Sequence, residues 1–94
     1  MFNSSNIGEK IRTIRESLNL GRHDFSIKAG LVKGTLTNIE TGRQDPSYKT
    51  LEAITNTWPQ YALWLMTGET IPDAGQISPE IEETRIHLKQ GKAG

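Results

Sequence analysis

Apolar residues recur along the first third of the chain at helical intervals. Ile7, Ile11, Ile14 and Leu18 are spaced by four, three and four residues, which stacks their side chains on one face of an α-helix. Asn6 offers a side-chain oxygen to the first free amides, and Glu9, three residues on, completes a capping box, so a first helix is predicted from about residue 6 to residues 17–19. A second, shorter helix is predicted over 22–29, with Phe25 and Ala29 one turn apart on its inner side and Gly30 as its C-terminal cap. Leu36 and Ile39 mark the buried side of a third helix over 32–40, closed by Gly42, and Leu31 anchors the turn before it. Two short helices joined through a tight glycine turn can cross steeply and share one core.

Further on, Ser47 caps a fourth helix carrying Leu51 and Ile54, with Trp58 as a packing residue one turn later. Pro59 favours the first turn of a fifth helix, which contains Tyr61 to Met66 and stops at Gly68. The pattern then breaks: Pro72, Gly75 and Pro79 punctuate the chain, and Gln76, Ile77 and Ser78 form one short candidate strand. Ile81 and Leu88, with the stem of Arg85, line one side of a brief helix after Pro79, and the final GKAG is expected to fray. The expected fold is all-α: a compact five-helix domain over residues 1–68, then a short C-terminal strand and flexible tail over 69–94.

Composition narrows the function classes. Ninety-four residues make one domain, small enough to gain from self-association and too small for a large enclosed active site. The absence of cysteine removes disulfide and thiolate chemistry, and two histidines without a Cys/His/Asp cluster do not make a zinc site. The opening segment has no apolar signal core, and the apolar run YALWLM at 61–66 is too short to cross a bilayer. A cytoplasmic protein without a membrane partner is expected. Formal net charge is zero, yet residues 1–50 hold eight Lys and Arg against five Asp and Glu, whereas residues 69–83 hold five acids and no base. The neutral sum hides a basic first half and an acidic later segment.

That asymmetry gives the third helix a chemical reading. With Leu31, Leu36 and Ile39 turned inward, its opposite side offers Lys33, Gly34, Thr37 and Asn38, with Thr35 toward one edge. Lysine donates to guanine, asparagine pairs with adenine, and threonine offers a hydroxyl or a methyl to thymine. Gly34 removes a side chain near the helix tip, which allows the backbone to approach a groove closely. Arg22, Arg43 and Lys49 flank this helix where the phosphates of a bound duplex would run. A polar face on a small helix is more often only solvated. The coincidence of edge-reading groups with flanking cations favours double-stranded DNA.

The stretches AGLVKGTLTNIETGRQDPS at 29–47 and LWLMTGE at 63–69 resemble the lambda-repressor-like (Cro and XRE type) helix-turn-helix family. The matching marks are a small residue and glycine at the turn, Thr-x-x-x-Ile-Glu in the recognition helix, then x-Gly-Arg and Pro-Ser. Within that family, the short length and the segment YALWLMTGETIPDAGQISPEI are similar to the immunity repressor C group of Peduovirus-type temperate phages. The resemblance implies a homodimer on operator DNA that silences an early lytic promoter during lysogeny, with a C-terminal strand joining the subunits. It carries base reading to Lys33, Gly34 and Asn38, with Thr35 and Thr37 as further candidates, and phosphate contact to Arg22 and Arg43. Glu40 matches a structural glutamate, so its implied role is intramolecular. Gln76, Ile77 and Ser78 would pair across a two-fold axis while Trp64 helps to bury the interface.

Three positions depart from the family pattern. Gly21, Ser26 and Val32 stand where a capping residue, a packing alanine and a capping Ser or Thr are usual. The alternative function is an antitoxin or other protein-interaction module whose acidic tail neutralises a basic partner. Catalysis has little support: His23 beside Asp24 lacks a nucleophile or second carboxylate, GRQDPS is no phosphate loop, and no cofactor or small-molecule substrate is implied. Trp58 and Trp64 sit in helical apolar spacing and read as core or interface aromatics rather than a stacking platform.

Overall fold

The computed structural model describes the backbone of residues 4–93 and the side chains of residues 7–88. Six α-helices follow one another: α1 (Ser4–Ser17), α2 (Arg22–Ala29), α3 (Lys33–Glu40), α4 (Tyr48–Thr57), α5 (Ala62–Thr67) and α6 (Pro79–Ala93). Single 3-10 turns stand at Pro59–Tyr61 and Pro72–Ala74. The all-α class holds among the described residues, with a sixth helix, α6, where a brief helix was expected after Pro79.

The apolar periodicity finds its target. Ile11 and Ile14 of α1, Phe25 of α2, Leu36 and Ile39 of α3, Ile54 of α4 and Leu65 of α5 are buried side chains of one core. Each such residue contributes about 1.5–3 kcal/mol relative to an exposed one. Trp58 closes this core by stacking on Phe25 with ring centroids 4.5 Å apart and planes 14° from parallel.

Helix ends follow the local chemistry. Asn19 adopts a left-handed φ of 59° just past α1, a conformation asparagine tolerates. Gly30 ends α2 at φ 73°, and the Leu31 amide behind it donates to the Ser26 carbonyl at 2.8 Å. The Ser47 hydroxyl accepts from the Thr50 amide at 3.2 Å and so caps α4. The backbone of α1 is already helical at Ser4, ahead of the expected cap Asn6, whose side chain lies outside the described residues.

The C-terminal region departs most from expectation. Gln76, Ile77 and Ser78 form no strand; a single antiparallel bridge joins Gln76 to Ile71. The Gln76 side chain accepts from the Leu63 amide at 2.9 Å and donates to the Pro59 carbonyl at 3.0 Å. Ile77 is a core residue whose amide donates to the Gln60 carbonyl at 2.9 Å, and the Ser78 hydroxyl accepts from the Ile81 amide at 3.1 Å, capping α6. The Gln76 backbone and side chain and the Ile77 amide are engaged inside the chain, so these groups are not free to pair with another strand. The expected brief helix after Pro79 runs to Ala93, and the expected frayed end is helical up to that residue; Gly94 lies outside the described residues.

Candidate nucleic-acid interface

The third helix presents two chemically distinct sides. At about 100° per residue, Leu36, Ile39 and Glu40 fall on one side, and Gly34 and Asn38, one turn apart, fall at the centre of the other. The observed burial agrees: Leu36, Ile39 and Glu40 are buried, Lys33 and Gly34 are exposed, and Thr35, Thr37 and Asn38 are half-buried. The Thr37 hydroxyl donates back to the Lys33 carbonyl at 3.1 Å. The polar side-chain groups of Thr35 and Asn38 make no hydrogen bond among the described residues. Val32 precedes the helix in an extended conformation without a side-chain capping bond, as its apolar side chain dictates.

Around this helix, Lys28, Lys33, Arg43 and Lys49 are exposed and make no ion pair among the described residues. Arg43 is held by its backbone: its amide donates to the Asn38 carbonyl at 2.8 Å, just past the positive-φ Gly42. Arg22 is placed differently. Its Nε donates to Glu40 Oε1 at 3.0 Å, so this expected phosphate contact is anchored on a buried carboxylate.

Glu40 is the hub behind the outward face. Its side chain has no exposure, and it accepts Nε and Nη2 of Arg15 at 2.8 and 3.0 Å in addition to Arg22. The hydrogen bond to Glu40 holds the Arg15 guanidinium above its ordinary pKa, against the opposing effect of burial. The node ties α1 and the start of α2 to the end of α3, the intramolecular role expected of Glu40.

No protein-family model matches the chain. Over 80 residues it is 36% identical to the Repressor protein C of Escherichia phage P2, a match covering 83% of this chain and 81% of that protein. The chain belongs to the phage repressor C family.

For this repressor C family member, the packing roles of Gly8 and Arg15 behind α3 are not disclosed by the local sequence. Gly8 lies against α3, where a Cβ would run into the Ile39 carbonyl oxygen. Arg15 holds Glu40, and nothing in its local sequence distinguishes it from the exposed Arg12, which pairs with Glu16. Ser26, noted as a departure from alanine, is buried, and its hydroxyl has no hydrogen-bond partner among the described residues. Among the four expected dimerisation residues, Ile77 and Ser78 are buried, while Gln76 and Trp64 are half-buried. The Lys10 ammonium sits 5.8 Å from the Trp64 ring centroid. No helix among the described residues is long and apolar enough to cross a membrane.

Proposed function

We propose that this chain binds double-stranded operator DNA as a homodimer and represses transcription from an early lytic promoter of a temperate phage or prophage, maintaining lysogeny in the bacterial cytoplasm. The observation that carries the reading is the outer side of α3. Among the described residues the side chains of Asn38 and Thr35 make no hydrogen bond, and Lys28, Lys33, Arg43 and Lys49 around them have no acidic partner. Such a side suits a helix laid in the major groove, with Lys33, Gly34, Thr35, Thr37 and Asn38 toward base edges. Arg22, Arg43 and Lys49 take phosphates and set the register. The name of the phage P2 relative supports repression as the consequence of that binding.

The test compares binding to the intergenic DNA beside the gene with binding to a scrambled duplex at moderate salt. The intergenic DNA should win clearly, and equal affinity for both would refute sequence-specific repression. Asn38→Ala should narrow the difference by about 1–3 kcal/mol, whereas Arg43→Ala should weaken both duplexes alike.

In the same reading, residues 1–68 carry the DNA contacts and residues 69–94 the subunit contact. Gln76, Ile77 and Ser78 serve it by fixing where α6 starts, and Trp64 lies near the joined surface. Exposed Ile86 and Leu88 on α6, together with Met66 and Ile71, support an apolar contact between subunits. An Ile86→Arg, Leu88→Arg variant should fold normally and lose the dimer when its mass is measured in solution. A dimer that persists would move the contact elsewhere.

A further inference from the structure

We infer that Glu40, an acidic and fully buried residue, is a positioning residue for a DNA phosphate, acting through Arg22. The inference rests on the DNA-binding reading above and adds a mechanism to it.

Glu40 is already matched by Arg15. Nε and Nη2 of Arg15 bond the two carboxylate oxygens at 2.8 and 3.0 Å, and its Nη1 donates to the Leu20 carbonyl at 3.0 Å. All three guanidinium nitrogens of Arg15 are thus engaged inside the chain, and a two-point Arg–carboxylate pair is complete. A second arginine on the same carboxylate adds a surplus positive charge to a largely buried site, which stability does not require.

Arg22 is engaged at one nitrogen only. Its Nε donates to Glu40 Oε1 at 3.0 Å, its side chain keeps 32% of its exposure, and its two terminal nitrogens make no hydrogen bond among the described residues. The bond through Nε orients the guanidinium plane and leaves its outer edge as a fork that matches two phosphate oxygens. Because Arg15 already balances Glu40, the charge of Arg22 remains available to the ligand. A surface arginine without such an anchor loses rotamer freedom when it binds phosphate; here much of that ordering is complete beforehand. Lysine cannot take this role, since its single ammonium would have to serve the carboxylate and the phosphate together.

The consequence runs against simple electrostatics. Removing a negative charge from a DNA-binding protein ordinarily tightens binding, but Glu40→Gln should weaken it, because Arg22 loses its orientation. Binding of the full chain to the adjacent intergenic duplex and to a scrambled duplex, over a series of salt concentrations, tests this. Arg22→Lys, which keeps the charge, should bind both duplexes about tenfold more weakly than the parent chain and no better than Arg22→Gln. For Arg22→Gln the magnitude of the salt slope should fall by about one, the signature of one lost phosphate contact.

Arg22→Lys is the deciding variant if Glu40→Gln fails to fold, since it leaves the Arg15–Glu40 pair intact. Undiminished binding by Arg22→Lys overturns the inference while leaving the DNA reading standing, as does tighter binding by a folded Glu40→Gln. A parent chain that binds neither duplex overturns both.

Discussion

Gly8 and Gly34 occupy helices that pack on one another, yet the fold has a use for only one of them. A Cβ on Gly8 would meet the Ile39 carbonyl oxygen, so the close approach of α1 to α3 depends on its absence. A Cβ on Gly34 would meet nothing within 4 Å, and its backbone is not in the left-handed region that favours glycine. Both glycines cost helix stability, up to about 1 kcal/mol relative to alanine. The inner one is explained by packing, while the outer one is left for something outside the chain to explain. The same division runs through α3: Ile39 and Glu40 complete the fold, while Lys33, Thr35 and Asn38 contribute little to it.

The largest effect should come from the inner side. Gly8→Ala gains helix propensity but forces α1 away from a backbone carbonyl that cannot yield as a flexible side chain would. Overpacking of this kind typically costs about 1–3 kcal/mol, and here it should exceed the propensity gain. Thermal unfolding should show a net loss of about 2 kcal/mol, a fall in Tm of roughly 8–16 °C for a domain of this size. Unchanged stability would mean that α1 and α3 can separate freely, and the contrast between the glycines would collapse.

A smaller effect of opposite sign belongs to Ser26. Its hydroxyl is buried without a partner among the described residues, and such a group costs about 1–3 kcal/mol unless satisfied. Ser26→Ala should raise stability by about 1 kcal/mol, or roughly 4–8 °C in Tm, without altering DNA affinity. A destabilised variant would show that the hydroxyl has a partner after all, such as a bound water.

The contrast between local and distant information also explains what the sequence could and could not reveal. The spacing of Ile7, Ile11 and Ile14, the glycine after α2 and the Ser47 cap encode their structure within a few residues, and those elements appear as read. The two sides of α3 were likewise legible from the alternation of Leu36 and Ile39 with polar neighbours. The conformation of residues 76–78 was not, because it is set by partners 13 and 17 residues from Gln76, Leu63 and Pro59, which occupy the Gln76 side chain. Gln-Ile-Ser is locally compatible with a strand, and tertiary hydrogen bonding overrides that preference. Gly8 carried a visible signal, a glycine inside an amphipathic helix, but the backbone it touches lies in α3. The anchoring of Arg22 depends in the same way on Glu40, 18 residues on, and no local pattern around Arg22 discloses it.

The most direct measurement is Gly34→Ala, followed in parallel by thermal unfolding and by the ratio of affinities for intergenic and scrambled duplex. Alanine fits the open space and favours helix, so stability should rise by up to about 1 kcal/mol. If the tip of α3 enters a groove, the added methyl should hold the helix away from the base edges and lower the affinity for intergenic DNA by roughly tenfold, about 1.4 kcal/mol. A more stable variant that binds intergenic DNA more weakly is the expected result. A more stable variant whose binding and discrimination are unchanged would contradict the assignment of the outer side of α3 to DNA.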